Sequence, residues 1–283
     1  MEIRELYKYG QVVSLEVFPP KQDADVDDIL SALGDMCALA PDFISVTYGA
    51  GGAGNVNRTA EIAAHIEGRY ATTAMAHLTC SAGAERIRQM LDEMRLSGIR
   101  NVLALRGDIP EGESAAGGYR YASELVAAIR SRGDFCIGAA CYPEGHIDCD
   151  SPALDLLLMR RKQDAGADFF LSQLCFDDDL ILRFIDRARG AGVTLPISVG
   201  VMPILSRKQI ERMIFLCGAS LPSAIIKLLH KYAHAPADLR AAGIEYAARQ
   251  LTGLLSRGVD GVHIYTMNKA DIAATCFKRL GRI

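Results

Sequence analysis

The 283-residue chain contains no tryptophan, and only 7% of its residues are aromatic. This composition argues against an aromatic platform that stacks nucleic-acid bases. The chain also lacks an excess of charge of either sign, since 23% of its residues are charged but the net charge is only −3. These values exclude a disordered chain and a chain built to coat nucleic acid. Half of the residues are apolar and 26 are glycine, which favours a packed α/β enzyme.

Long apolar runs are missing as well. No run approaches the roughly 18 residues that a membrane-spanning helix needs, and the first residues lack the apolar region of a secretory signal. We therefore expect a cytoplasmic protein that does not bind membranes. The eight cysteines are spread through apolar runs without the C-x₂-C spacing of a zinc or redox motif. We predict free buried thiols and no metal site.

Short, almost continuously apolar runs alternate with segments of helical periodicity. Such runs are typical of parallel strands that are covered on both faces, whereas the segments between them carry one apolar stripe each. The predicted strands span 12–18, 43–49, 72–79, 101–107, 135–142, 168–175, 196–202 and 261–267.

The predicted strand ends are about thirty residues apart, which is the length of one βα unit. The last interval is twice as long, and helical patterns over 206–217, 221–231 and 238–256 fill it. We predict a single-domain (β/α)₈ TIM barrel over residues 1–283, with extra helices before the eighth strand. An open doubly wound sheet is the alternative.

Polar residues inside apolar strands are candidates for function, because TIM barrels carry their chemistry at the carboxyl ends of the strands. Glu16 lies between Leu15 and Val17, where poor solvation would favour the protonated form that a general acid needs. The alternative is a buried ion pair with an arginine. His77 is a second candidate, although a satisfied core histidine is an equally good interpretation.

The segment that follows the fourth predicted strand contains Arg106 and Asp108. Arg106 could hold a phosphate or pyrophosphate with two hydrogen bonds. Asp108 could be its ion-pair partner, a helix cap or a site residue. The glycine-rich segment 49–54 matches G-x-G-x-x-G, but residues 55–59 separate it from the next helical pattern. We interpret it as a loop over the site rather than a Rossmann fingerprint.

Nine motifs in order make the chain resemble the methylenetetrahydrofolate reductase family over essentially its whole length. They are SLEVFPPK (14–21), FISVTYGAGG (43–52), AHLTC (76–80), GIRNVLALRGDIP (98–110), YASELV (121–126), AACYPEGH (139–146), RRKQDAGADFFLSQLCFD (160–177), VGVMPILSRKQ (199–209) and HIYTMNK (263–269).

The resemblance implies a barrel that holds FAD and passes hydride from NADH or NADPH to 5,10-methylenetetrahydrofolate. The product would be 5-methyltetrahydrofolate, for one-carbon metabolism and methionine synthesis. Glu16 matches the general acid that opens the five-membered ring of the substrate to an iminium ion. Asp108 matches the aspartate that stabilises the iminium and tunes the flavin potential.

The family's binding residues carry over position by position. For FAD they are Thr47, His77, Arg106, Gly107, Asp108, Tyr121, Ala122, Tyr142, His146, Asp155, Arg161 and Lys162. For the folate and the nicotinamide they are Glu16, Asp108, Gln173, Gln209, Tyr265 and Lys269. Three positions depart from some relatives, which have asparagine, phenylalanine and arginine at the positions of Leu158, Met213 and Lys269 respectively.

The resemblance also suggests how the chain is organised. A chain of this length would be the catalytic barrel without the regulatory domain that eukaryotic relatives append, and we expect a homo-oligomer. One alternative is a folate-binding subunit, with or without flavin, that takes electrons from a partner protein. Another is a flavin-free barrel that moves hydride directly from nicotinamide or transfers a methyl group.

Overall fold

A computed structural model describes residues 1–20, 26–48, 56–107 and 118–283. Its eight strands are all parallel and follow one another in chain order around a closed barrel, in which the eighth strand pairs with the first. The predicted TIM barrel is confirmed. The strands are β1 Val12–Val17, β2 Phe43–Val46, β3 Ala74–Thr79, β4 Asn101–Leu105, β5 Cys136–Cys141, β6 Phe169–Ser172, β7 Ile197–Val201 and β8 Gly261–Tyr265.

Helices cover the outside of the barrel. In the described part of the chain they are α1 Ile3–Leu6, α2 Val26–Ala38, α3 Val56–Tyr70, α4 Ala84–Leu96, α5 Ala122–Ser131, α6 Pro152–Asp164, α7 Asp178–Gly190, α8 Arg207–Cys217, α9 Ser223–Lys231, α10 Pro236–Ser256 and α11 Ala270–Arg279. The main apolar core lies between these helices and the strands, because each helix turns one apolar stripe towards the sheet.

All strands except β3 end one to three residues earlier than the sequence predicts. β2 stops at Val46 and β6 at Ser172, each three residues short of the apolar run that contains it. Polar residues such as Thr47 and Gln173 follow, so they lie in the segments beyond the carboxyl ends of the strands. The shorter strands thus leave these residues at the mouth of the barrel.

The long interval before β8 holds three helices, as predicted. α8, α9 and α10 pack on one another through a smaller apolar cluster that includes Ile204, Ile225 and Leu239. Gly243 of α10 allows the closest approach, because a Cβ at this position would lie 2.0 Å from the carbonyl oxygen of Ile204. A larger residue at Gly243 would therefore push α10 away from the end of β7.

The amino end of the barrel is closed by α1. Ile3 is fully buried, and its N–H donates to the side-chain oxygen of Asn101 at 2.8 Å. Tyr7 shares a 2.8 Å hydrogen bond with Ser198, and burial raises the pKa of its phenol. The polar groups of this end are thus used to fasten the closing helix.

The cysteines confirm the prediction of free thiols, and most of them are buried. Within the four described ranges there is no cluster of potential metal ligands. None of the helices that the structure describes is both long enough and apolar enough to cross a membrane.

Candidate active site at the carboxyl end of the barrel

The strands bring the predicted polar residues together at one end of the barrel. Each of them lies within the last three residues of a strand or in the segment that follows it, as the sequence predicted. The residues are Glu16 of β1, Thr47 after β2, His77 of β3, Arg106 after β4, Tyr142 after β5, Gln173 after β6 and Tyr265 of β8.

Glu16 faces two histidine rings. Its Oε2 lies 3.5 Å from Nε2 of His263 and 3.7 Å from Nε2 of His77. The Glu16 side chain keeps 17% of its surface exposed, whereas those of His77 and His263 keep 7% and 0%. Among the described residues, these histidines take the place of the arginine partner considered from the sequence. Glu16 therefore lies at the mouth of the barrel, with the buried rings of His77 and His263 beside its carboxyl group.

His77 is held in its neutral form. Burial lowers the pKa of His77 to about 4, although the nearby charge of Glu16 acts in the opposite direction. Its Nε2 is buried and has no hydrogen-bond partner among the described residues. His77 is thus not a satisfied core histidine, the alternative considered from the sequence.

His263 was not singled out from the sequence. It is fully buried, with Nδ1 2.7 Å from Oγ of Ser14 and Nε2 3.3 Å from Oγ of Ser45. Its ring also stacks on Phe43 at a centroid distance of 6.0 Å. The available signal was a titratable ring in the middle of the otherwise apolar strand GVHIY.

The end of β1 is fastened to the turn that follows β8. Thr266 donates its hydroxyl to the carbonyl oxygen of Glu16 at 2.6 Å. Asn268 accepts from the N–H of Phe18 at 2.9 Å and donates to its carbonyl oxygen at 2.8 Å. Met267 and Asn268 both have a φ of 55°, an uncommon conformation that these hydrogen bonds hold in place. The turn thereby fixes the backbone that carries Glu16.

Tyr265 lies beside Glu16, its register partner across the β1–β8 ladder. Its hydroxyl donates to the carbonyl oxygen of Ser172 at 2.9 Å. Burial raises the pKa of Tyr265 well above its ordinary value, and the charge of Glu16 acts in the same direction. Gly200 makes room for this ring, because a Cβ there would lie 2.7 Å from the Tyr265 hydroxyl. Tyr265 is therefore a neutral phenol in a fixed position.

Across the barrel, the segments after β4 and β5 and the helix α6 supply basic side chains, two of which contact Tyr142. Lys162 donates to the carbonyl oxygen of Ala140 at 2.8 Å, and its Nζ lies 5.4 Å from the centroid of the Tyr142 ring. The His146 ring meets the same tyrosine edge-on at 4.7 Å. Burial lowers the pKa of both Lys162 and His146. We call the two cations, Arg106 and Lys162, the cationic wall.

Arg106 pairs with Asp148, at 2.5 Å between Nη2 and Oδ2. The hydrogen bond from Arg106 holds the pKa of Asp148 below its usual range. The Nε of Arg106 is buried and has no hydrogen-bond partner among the described residues. Asp108, the partner considered from the sequence and the second predicted catalytic residue, lies outside the described residues. The structure thus leaves one donor of Arg106 for a further acceptor.

The other predicted FAD residues differ in what they contact. Asp155 accepts from the N–H of His146 at 2.8 Å, and Thr47 accepts the Thr59 hydroxyl through its carbonyl oxygen. These two residues fix loops. The remaining four are Gly107 with a φ of 79°, Tyr121 and Ala122 at the start of α5, and Arg161, which is exposed on α6.

The predicted folate and nicotinamide residues differ in what their side chains already contact. Gln173 is partly buried at the mouth, and its Oε1 accepts from the N–H of Leu174 at 2.9 Å. Gln209 uses both ends of its amide inside the β7–α8 loop, accepting from Leu205 and donating to Pro203. Lys269 is exposed at the start of α11. In this conformation Gln209 stabilises a loop rather than presenting a free amide.

Two of the departures have structural consequences of their own. Met213 packs on the apolar cluster of α8, α9 and α10, so it contributes to the core of the inserted helices. Leu158 is partly buried on α6.

The sequence profile of the family described as methylenetetrahydrofolate reductase matches residues 3–281. The chain belongs to this family. It is 34% identical over 270 residues to the 5,10-methylenetetrahydrofolate reductase of Pectobacterium carotovorum, an alignment that covers 95% of this chain and 90% of that protein. It is 33% identical over 274 residues to the Escherichia coli K12 protein of the same name, covering 96% and 92%.

A plant member of the methylenetetrahydrofolate reductase family is longer. The Arabidopsis thaliana protein named methylenetetrahydrofolate reductase (NADH) 1 is 34% identical over 299 aligned residues. The alignment covers 100% of this chain and 50% of the plant protein. The chain thus spans about half the length of the plant relative and about nine-tenths of the bacterial ones.

Solved structures confirm the fold of this family member. A Clostridium thermocellum protein described as binding two copies of 5-methyl-5,6,7,8-tetrahydrofolic acid superposes with a TM-score of 0.69 at 13% identity, over 99% of both chains. A 2,3-dimethylmalate lyase of the PEP mutase/isocitrate lyase superfamily gives a TM-score of 0.57 at 11% identity, over 98% of this chain and 85% of the lyase. At these identities the likeness concerns the barrel alone.

Proposed function

We propose that the chain is an FAD-dependent reductase that uses NADH or NADPH to convert 5,10-methylenetetrahydrofolate to 5-methyltetrahydrofolate. One observation carries the proposal: in a member of this family, a carboxyl group stands at the barrel mouth against two buried imidazoles, across from the cationic wall. The carboxyl group suits proton donation to a substrate, and the cationic wall suits an anionic ligand.

The cationic wall fits the flavin dinucleotide. Its pyrophosphate is anionic, and the buried Nε of Arg106 has no partner among the described residues. Lys162 spends one of its three donors on Ala140, which leaves others for phosphate oxygens. Tyr142 adds an aromatic ring that contacts both Lys162 and His146. When bound, FAD would supply the hydride chemistry that no side chain of this site can perform.

Glu16 would act on the folate. Its proton goes to the amine nitrogen that leaves the methylene carbon, so the N–C bond of the five-membered ring breaks and an iminium cation forms. The carboxylate left on Glu16 then lies near this positive charge, which it stabilises. Tyr265 borders the same space with a neutral ring, and Gln173 can turn its amide to hydrogen-bond the pterin or the nicotinamide carboxamide.

The remaining family assignments complete the proposal. Asp108 would add a second negative charge beside the iminium, and Lys269 would meet the carboxylate of the folate tail as a point charge. We also propose a cytoplasmic homo-oligomer. A partner subunit that supplies electrons stays a prediction of the family resemblance.

An anaerobic experiment tests the proposed activity. Purified protein is examined for flavin absorbance, mixed with NADH or NADPH, and then mixed with 5,10-methylenetetrahydrofolate. We expect the flavin to bleach with a nicotinamide and to recover with the folate, and 5-methyltetrahydrofolate to accumulate. Colourless protein that FAD does not restore would contradict the FAD assignment. A flavin that no nicotinamide bleaches would instead favour a partner protein as electron donor.

A further inference from the structure

His263 is a buried titratable residue of this site to which the proposed reaction assigns no role. It lies below Glu16 inside the barrel, and the exposed fraction of its side chain is 0%. Burying a polar ring is costly unless its nitrogens have partners. Here Ser14, Ser45 and Glu16 surround the ring nitrogens, so the ring has a defined orientation.

Each ring nitrogen of His263 has an oxygen nearby. Ser14 Oγ lies 2.7 Å from Nδ1 and 3.3 Å from the carbonyl oxygen of Val262. A Ser14 hydroxyl that donates to Nδ1 leaves the ring hydrogen on Nε2, the nitrogen that faces Glu16. Two oxygens that can accept it, Ser45 Oγ at 3.3 Å and Glu16 Oε2 at 3.5 Å, lie around Nε2.

We infer that His263 carries its ring hydrogen on Nε2 and is a positioning residue for Glu16. Ser14 holds the ring through Nδ1. The Nε2–H then donates to the carboxylate that forms when Glu16 gives its proton to the substrate. The proton of His263 stays on Nε2, so this is a hydrogen bond to the developing charge and not a proton transfer. Donors that are already in place when charge develops stabilise it without reorganisation. This inference rests on the proposed function, in which Glu16 is the general acid.

The other titratable groups around His263 do not take over this task. In the described structure, Glu16 of β1, His77 of β3 and Tyr265 of β8 face the ring, whereas β2 contributes Phe43 and Ser45, which do not titrate. Nε2 of His77 lies 3.7 Å from Oε2 of Glu16, but it has no hydrogen-bond partner in the described parts of the chain. The phenol of Tyr265 is directed to Ser172. His263 is therefore the ring that the structure anchors against the carboxyl group.

A matched pair of variants tests the inference in the FAD-loaded protein. In His263→Asn the amide reaches the place of Nδ1, beside Ser14. In His263→Gln it reaches the place of Nε2, beside Glu16. We expect His263→Asn to slow folate reduction by roughly tenfold or more, and His263→Gln to retain more activity because an amide N–H still faces Glu16. Reduction of the flavin by the nicotinamide should change by less than about twofold in both variants.

The pH dependence separates positioning from packing. Without the Nε2 donor the Glu16 anion is less stable, so the acid keeps its proton to higher pH. In His263→Asn the alkaline limb of the pH profile of folate reduction should therefore move to higher pH. A folded His263→Asn protein that has wild-type rates of folate reduction and an unchanged profile would overturn the inference.

A second measurement does not need an active variant of His263. Two-bond ¹H–¹⁵N spectra of ¹⁵N-histidine-labelled protein report the protonation of each ring nitrogen. In Glu16→Gln we expect the His263 and His77 signals to move, while those of His230 and His234, which are exposed on and after α9, stay in place. Unchanged His263 signals would overturn the inference. A wild-type protein that does not reduce the folate would instead contradict the proposed function, and the spectra would still test the contact.

Discussion

The two ends of the barrel are built from the same strands but use polar residues in opposite ways. At the amino end, Asn101 is fully buried and its amide is completely engaged: it accepts from Ile3 at 2.8 Å and donates to Met1 and Ala74 at 3.0 and 3.1 Å. At the carboxyl end, Nε2 of His77 and Nε of Arg106 are buried without partners in the described structure.

The difference distinguishes polar groups that stabilise the fold from polar groups that await a ligand. A buried group with all its hydrogen bonds contributes modestly to stability, whereas a buried group without a partner costs free energy. An unpartnered buried group in a native protein calls for an explanation, and a ligand or a reaction is one that fits the carboxyl end. Variants at the amino end should therefore lower stability and leave activity unchanged, whereas variants at the carboxyl end should change activity or the pH dependence of stability.

The largest effect is expected for Glu16→Gln. The substitution keeps the volume of the side chain but removes its acidic proton, so folate reduction should slow by about 10²–10⁴-fold while reduction of the flavin by nicotinamide continues. Stopped-flow spectroscopy of the two half-reactions measures this. Glu61→Gln, at an exposed position of α3, is the matched control and should retain both rates. Near-normal folate reduction in Glu16→Gln would remove the acid role.

The next effect concerns His77 and pH. Since the pKa of folded His77 is about 4, below the 6.5 of an unperturbed histidine, the unfolded chain binds the extra proton as pH falls from 6.5 towards 4. The wild-type protein should lose stability relative to His77→Gln over this interval, by up to roughly 3 kcal/mol.

Urea unfolding of both proteins between pH 7 and 4.5 measures the difference. His230→Gln, at an exposed position of α9, should show no such pH-dependent gap. A difference between wild type and His77→Gln that stays constant across the interval would contradict the neutral, buried state of His77.

A comparable effect is expected at the amino end. Asn101→Ala removes three hydrogen bonds and leaves the buried N–H of Ile3 unpaired, so it should lower the free energy of unfolding by roughly 2–4 kcal/mol. Lys8→Ala, on the exposed surface beside α1, should cost less than about 0.5 kcal/mol. Denaturant unfolding compares the two variants. A loss of activity in folded Asn101→Ala would contradict the claim that the amino end contributes to stability alone.

The smallest effect is a gain. Asp148 is 57% exposed and occupies Arg106, the cation that we assign to the pyrophosphate. Asp148→Asn should free the guanidinium and strengthen FAD binding by about two- to fivefold, since an exposed ion pair contributes less than about 1 kcal/mol. Titration of the apoprotein with FAD measures the change, and Asp150→Asn in the same loop is the control. Weaker binding in Asp148→Asn would mean that Asp148 holds the ligand itself.

Much of the barrel could be predicted from the sequence because its signals are local. The apolar runs at βα spacing predicted every strand, and the doubled interval predicted the inserted helices α8 to α10. Polar residues at strand ends led to Glu16 and Tyr265, since the carboxyl ends of barrel strands meet at one mouth whatever the details of packing.

The remaining features of the site depend on contacts between distant parts of the chain. His263 sits in the middle of a strand, and only closure of β8 against β1 brings it to Ser14 and Glu16. The pairing of Arg106 with Asp148 depends on how the β5–α6 loop folds back, which no local pattern encodes. The amide of Gln209 is likewise taken up by its own loop.

The most direct test of the difference between the two ends is the rate at which 5,10-methylenetetrahydrofolate reoxidises the reduced flavin. This rate is measured anaerobically in Glu16→Gln and in Asn101→Ala, at one temperature at which both variants are folded. We expect Asn101→Ala to react at the wild-type rate and Glu16→Gln to react at least about a hundredfold more slowly. Equal rates in the two variants would contradict the assignment of the chemistry to the carboxyl end.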